Sequence, residues 1–136
     1  MAHSKFRAEV LTPEGEVFND EVELVSTKTA VGSIGILAHH EPVLAMLDPT
    51  ELRLYKTESE VVRFAQAEGY LQVADNHVLI LVEEAVAPGD LDAGSLRERL
   101  QQAEHALDSA SDDTEKRRVA ERDKSRLEEF LKIAEG

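Results

Sequence analysis

Two periodicities meet in VLILVEEAVAPGDLDAGSLRERL, residues 78–100. The run from Val78 to Val82 is continuously apolar and has the length of a strand, whereas Leu96 and Leu100 are spaced as on one face of a helix. Between them, residues 88–90 read Pro-Gly-Asp, which ends a strand pattern. The sequence therefore predicts a β domain over residues 1–88 and a helical segment over residues 89–136.

Upstream of this stretch the pattern consists of short strands separated by turns. Residues 5–10 alternate charged and apolar side chains at the period of two that buries one strand face. Pro and Gly in residues 12–15, and Asp-Asn at 75–76, are typical of turns. Many short strands without intervening helices predict a sandwich or flattened barrel. Further strands are expected at 22–25, 43–47, 52–55, 61–65, 70–73 and 78–82.

Downstream, two helices are expected. Leu96, Leu100, Ala103 and Leu107 recur at spacings of four, three and four, which places them on one helical stripe. The sequence Ser-Leu-Arg-Glu at 95–98 has the form of a capping box, so the first helix should begin near Ser95. A polar loop over residues 109–113 precedes a second helix, expected over residues 114–134. A loop this short predicts an antiparallel helical hairpin.

Composition excludes several classes of function. The chain has 136 residues, of which 42% are hydrophobic and 32% charged, which is typical of a folded soluble protein. Its net charge of -13 argues against nucleic acid as a partner, because phosphate binding needs clustered Lys and Arg. There is no cysteine. The N-terminus shows no signal-peptide pattern and no run approaches the ~20 apolar residues of a membrane span, so we expect a cytoplasmic chain that reaches a membrane only through a partner.

No constellation of catalytic residues stands out. His39 and His40 are adjacent, and on a strand they would point to opposite faces, which is unsuitable for a shared metal. The glycines at 32 and 35 lack the Lys-Ser/Thr that follows a phosphate-binding loop. We therefore expect a protein that contacts partner subunits, that is not an enzyme and that needs no metal or cofactor. A small acidic hydrolase, with Asp92 or Glu84 as base, is the remote alternative.

Three stretches together resemble the epsilon subunit of the rotary F-type ATP synthase. The first is VLTPEGEVF, residues 10–18; the second is GSIGILAHHEPVL, residues 32–44, which is similar to the family's G-x-x-G-I-L-x-x-H-x-P segment. The third runs from EGYLQV at 68–73 through NHVLIL at 76–81, similar to G-G-[FY]-x-x-V followed by N-x-V-x-[IV]-L. The resemblance covers the whole chain and implies an α+β fold, with a ten-stranded antiparallel β sandwich followed by an antiparallel two-helix hairpin.

The resemblance also implies a place in a larger assembly. The sandwich would lie between the gamma subunit and the membrane-embedded ring of c subunits, and rotate with them, as a peripheral membrane protein on the cytoplasmic face of the bacterial plasma membrane. The loop expected over residues 33–42 matches the segment that touches the ring, and apolar side chains there either form the contact or plug the end of the sandwich. Ser33 stands where the family often has an acidic residue. The implied contact residues are Ser33, Ile34, Ile36, Leu37, His39, His40, Glu41 and Pro42.

For the helical hairpin the resemblance implies a regulatory role. In this family it lies on the sandwich or extends along gamma into the alpha/beta catalytic head, where it blocks ATP hydrolysis. Arg118, Arg122 and Arg126 recur every four residues and would contact acidic loops of the catalytic subunits. The alternative is a solvated helix with ordinary surface ion pairs.

A nucleotide site is the last feature that the family suggests. Some members bind ATP through an [IL]-D-x-x-R-A motif, which this chain matches at Leu91-Asp92 but not at Ser95, with Arg97 two residues later. Asp92 and Arg97 are the candidate nucleotide ligands, and the incomplete motif predicts that ATP does not bind. A free-standing nucleotide-sensing protein of the same fold is the rival interpretation.

Overall fold

The computed structural model describes residues 3–136 and divides the chain after Ala87 into a β unit and a helical unit. The sequence pattern had indicated this boundary after residue 88. Met1 and Ala2, which the predicted first domain included, lie outside the described residues.

The β unit contains ten strands within the described residues. They are β1 (Phe6–Thr12), β2 (Gly15–Val22), β3 (Leu24–Thr29), β4 (Gly32–Ile36), β5 (Val43–Leu47), β6 (Thr50–Tyr55), β7 (Val61–Gln66), β8 (Gly69–Ala74), β9 (His77–Val82) and β10 (Ala85–Val86). The helical unit contains a short 3-10 turn at Pro88–Asp90, followed by α1 (Ala93–Ser109) and α2 (Thr114–Glu135). The predicted ten-stranded sandwich and two-helix hairpin are confirmed.

The strands follow the order β10-β7-β6-β3-β5-β8-β9-β1-β2, and β4 pairs with β3. Between β3 and β5 the register is a single pair, Thr29 with Leu47. Because β3 and β5 share only this pair, the sheet can bend between them. The strands on both sides of the bend then pack around one hydrophobic core. Most neighbours are antiparallel, but β1 and β9 are parallel, with Arg7 opposite His77 and Leu11 opposite Leu81. Local sequence patterns carry no signal for this pairing, because the two strands are far apart in the chain.

An apolar core fills the β unit. Phe6, Ala8 and Val10 are buried, as the alternation in β1 predicts. One polar link crosses this core: the fully buried Gln66 accepts a hydrogen bond from Thr27 Oγ1 at 2.7 Å and donates one to the Asp48 carbonyl at 2.8 Å. Since a buried amide is costly unless it is bonded, this link fixes β7 against β3 and the β5–β6 turn.

Both helices begin at aspartate caps. The Asp92 carboxylate accepts a hydrogen bond from the Ser95 N–H at 3.2 Å, and Asp113 accepts one from the Lys116 N–H at 3.0 Å. At the far end of α2, the Arg97 guanidinium lies 3.1 Å from Glu135, which confirms that the helices are antiparallel. The buried side chains of the two helices are Leu96, Ala103, Ala120, Leu127 and Phe130.

Three local predictions are wrong. The first helix begins at Ala93 and not near Ser95, because Asp92 supplies the cap. The expected strand at 22–25 is interrupted by Glu23, whose N–H donates to the Tyr55 carbonyl at 2.7 Å. The loop predicted from Ser33 onward begins as strand β4, whose alternating burial turns Ile36 into the core.

Candidate functional site

The loop between β4 and β5 is the first candidate contact surface. Leu37 is exposed, and the His40 N–H donates to the Leu37 carbonyl at 3.3 Å to close a turn. His39 has a left-handed backbone with φ 63°, and its N–H donates to Asn76 Oδ1 at 2.7 Å. The His40 ring donates from Nδ1 to the Glu41 carbonyl at 2.7 Å. The two histidines thus lie in a turn, and each has a hydrogen-bonding role in it.

The eight residues expected to touch the ring differ in exposure. Ser33, Leu37, His39, Glu41 and Pro42 are exposed, and Ile34 and His40 are half-buried. Ile36 is fully buried in the core, so at this position the end-plug alternative applies. Sequence reasoning missed Val31, which lies in the β3–β4 turn with 98% of its surface exposed.

A second surface, which the sequence did not reveal, lies on the outer side of strands β5, β8 and β9. Met46 lies opposite Tyr70, which in turn lies opposite Leu81, and Leu44 extends the row along β5. These four large apolar side chains are 44–74% exposed. We call Leu44, Met46, Tyr70 and Leu81 the outer apolar face. Contiguous exposed apolar groups of this kind mark interaction surfaces in soluble domains.

One end of the outer apolar face contains a notch of about 310 Å³. Its walls include Leu11, Pro13, Tyr70 and Leu81. At its base Gly69 approaches β9 so closely that an added Cβ would lie 2.0 Å from the Leu81 carbonyl oxygen. Close strand packing therefore requires glycine here, and the notch presents an apolar concavity beside the exposed row.

The described residues hold no group of three or more His, Asp or Glu side chains suited to a metal ion. Glu84, named as a possible catalytic base, is half-buried between β9 and β10. Among residues 3–136 no helix is both long enough and apolar enough to span a membrane.

Of the three α2 arginines expected to contact the catalytic head, Arg118 and Arg122 pair with acidic side chains of their own helix. The Arg118 guanidinium donates two hydrogen bonds to the Glu115 carboxylate, at 2.6 and 3.2 Å. This bidentate pair raises the pKa of Arg118 and lowers the pKa of Glu115. Arg122 lies 3.3 Å from Asp123. Arg126 lines a groove of about 270 Å³ between the helices, together with Arg99 and Asp123. These contacts fit the solvated-helix alternative, and such exposed pairs are weak enough to exchange for an acidic partner.

The two candidate nucleotide ligands have other partners. Asp92 caps α1, and Arg97 reaches Glu135 across the hairpin. Both side chains would have to leave these contacts to bind a nucleotide.

Comparisons with known proteins bear on the whole chain. A family model described as the β-sandwich domain of the ATP synthase Delta/Epsilon chain matches residues 5–88. The ATP synthase epsilon chain of a Sulfurihydrogenibium species is 33% identical over 129 residues, which cover 95% of this chain and 96% of that protein. The epsilon chain of Rubrobacter xylanophilus is 37% identical over 114 residues, covering 82% and 77%.

Solved structures repeat the fold. A chain of the Euglena gracilis mitochondrial ATP synthase, in a structure of OSCP, F1 and the c-ring, superimposes with a TM-score of 0.81 at 22% identity and covers 97% of this chain and 82% of that one. The sandwich fold and the family match together assign this chain to the Delta/Epsilon class of ATP synthase chains. Because the bacterial relatives match over most of their length, this chain belongs to the family of F-type ATP synthase epsilon subunits.

Proposed function

We propose that this chain is a non-catalytic rotor subunit in the central stalk of an F-type ATP synthase. It couples ion-driven rotation of the c ring to ATP synthesis in the catalytic head and restrains ATP hydrolysis through its helices. The observation that carries this proposal is the outer apolar face, a contact surface on a domain of a family whose members are named as ATP synthase chains. The family, the two exposed surfaces and the helical hairpin all support it.

The outer apolar face is the surface for the gamma subunit. Leu44 and Met46 are the most exposed of its side chains, at 74% and 61%, and the adjacent notch can accept a protruding apolar side chain. Interface cores of this kind are apolar, whereas the charged residues of an interface collect at its rim. Glu9 and His77, which pair at 3.2 Å at the margin of this sheet face, provide such a rim.

The β3–β4 turn and the following loop are the surface for the c ring. Val31, Leu37 and His40 are the side chains that supply this contact, with Ser33, His39, Glu41 and Pro42 around them. Ile36 contributes only by holding β4 in the core. The chain then reaches the membrane through the ring alone, on the cytoplasmic face of the bacterial plasma membrane.

The helical hairpin is the brake on ATP hydrolysis. In the inhibitory arrangement Arg118, Arg122 and Arg126 contact acidic loops of the alpha/beta head, and Arg118 and Arg122 give up their partners within α2. Exposed pairs such as Arg118 with Glu115 contribute little to stability, so breaking them for this exchange costs little free energy. Asp92 and Arg97 remain structural, and the brake works without a bound nucleotide.

Binding measurements with separate partners test the proposal. Full-length chain should bind purified gamma and detergent-solubilised c ring, and residues 1–87 should bind both as well. For the inhibitory role of the hairpin, a variant that combines Arg118→Gln, Arg122→Gln and Arg126→Gln should relieve inhibition of ATP hydrolysis. A matched variant with Gln at Lys116, Lys124 and Lys132 removes the same charge from the same helix and should still inhibit. Equal effects of both variants would show that total charge, and not the arginine row, determines inhibition.

A further inference from the structure

The turn between β8 and β9 reaches across to the loop that follows β4. Asp75 and Asn76 both have left-handed backbones, with φ 51° and 59°, as a two-residue hairpin turn of type I′ requires. From this turn Asn76 Oδ1 accepts the hydrogen bond from the His39 N–H at 2.7 Å, across 37 positions of sequence. The sequence pattern assigned Asn76 no role beyond the hairpin tip.

His39 has a backbone conformation that needs support. Its φ of 63° is left-handed, which is uncommon for any residue other than glycine. Such a conformation persists where surrounding contacts hold it. The Asn76 side chain holds the His39 amide by accepting its hydrogen bond. The His40 N–H donates to the Leu37 carbonyl and closes the adjoining turn. Both contacts therefore set the direction in which the exposed Leu37 and the half-buried His40 point.

We propose that Asn76 is a positioning residue for ring binding. Its carboxamide holds residues 37–42 in the one conformation that presents Leu37 and His40 to the c ring, without itself contacting the ring. This inference rests on the proposed ring contact. Asn76 suits both tasks, because asparagine tolerates a left-handed backbone and its side chain carries a hydrogen-bond acceptor.

Three variants of the full-length chain separate this role from general stability. Asn76→Gly keeps the left-handed turn and removes the acceptor, whereas Asn76→Asp keeps an acceptor at the same place. Asp75→Gly is the matched control, since it removes the neighbouring side chain of the same turn and leaves the His39 bond intact. Hydrogen exchange of the His39 amide reports the loop, and affinities for solubilised c ring and for gamma report the two surfaces.

Asn76→Gly should speed exchange of the His39 amide and weaken ring binding roughly fivefold, the effect of one lost hydrogen bond, while gamma binding stays unchanged. Asn76→Asp should restore ring affinity, and Asp75→Gly should alter neither measurement. If the native chain binds the ring and Asn76→Gly binds it equally well, Asn76 does not position the loop. If the native chain itself fails to bind the ring, the proposed ring contact is wrong and this inference falls with it.

Discussion

Replacing Leu44 and Met46 together by threonine should abolish much of the affinity for gamma while leaving the fold intact. Both side chains point outward from β5, and neither belongs to the buried core. Threonine is well suited to a strand, so the backbone preference is retained. The free energy of unfolding should change by no more than about 0.5 kcal/mol.

The size of the binding effect follows from exposure. Full burial of a leucine or methionine side chain contributes about 1.5–3 kcal/mol. Leu44 is 74% exposed and Met46 61%, so docking can still recover roughly 2–4 kcal/mol from the pair. Threonine retains one methyl group, which favours the lower end of this range. We expect a loss of about 2 kcal/mol, or roughly 30-fold in Kd.

The assay is titration calorimetry with purified gamma, accompanied by urea unfolding of each variant. Leu37→Thr provides the control, because Leu37 is 48% exposed but lies in the loop that follows β4 and is not part of the outer apolar face. That variant should bind gamma with the native Kd. A double variant that also binds with the native Kd would refute the reasoning, and so would a loss of binding matched by a loss of stability.

Three further predictions concern stability. Burial raises the pKa of Glu51, but hydrogen bonds from Arg63 and Arg53 outweigh it and hold that pKa below 4.5. The native chain should therefore exceed Glu51→Gln in urea stability above pH 4.5 and lose this advantage as pH falls through the lowered pKa; a difference independent of pH would contradict this. Asp92→Ala should cost about 1 kcal/mol by removing the α1 cap, measured by hydrogen exchange, whereas Asp92→Asn keeps a capping oxygen and should cost little. An Asp92→Ala variant as stable as the native chain would show that the cap is unimportant. Gly69→Ala should lower the free energy of unfolding by about 3 kcal/mol in thermal unfolding, because the added Cβ would clash with the β9 backbone. Gly89→Ala should be tolerated, because a Cβ there meets nothing within 4 Å. Equal losses in the two variants would exclude the clash as the cause.

Much of the fold could be predicted because its signals are local. The alternation in β1 and the stripe from Leu96 to Leu107 are periodicities that a short window reveals. Strand β4 was missed because Gly32 and Gly35 are typical of turns, although Ile34 and Ile36 already stood at strand spacing. The start of α1 was misplaced because the sequence offers two caps three residues apart, and the aspartate is the one used.

The outer apolar face could not be predicted for a different reason. Strand β5 reads VLAML, so both of its faces are apolar and alternation cannot show which one is left exposed. Strand β9 has the same ambiguity, since Leu81 and the buried Ile80 are equally apolar. The packing of the sheet decides between the faces. The bond between His39 and Asn76 is likewise tertiary, because it joins two turns that are distant in sequence.

ATP hydrolysis by a purified gamma-containing catalytic head tests the account most directly. The rate should be compared without this chain, with the full length, and with residues 1–87, which form the separate β unit. The account predicts that the full length inhibits, and that residues 1–87 bind the head through gamma without inhibiting it. Failure of both forms to bind the gamma-containing head would contradict the proposed function, and inhibition by residues 1–87 alone would show that the helical hairpin is not the brake.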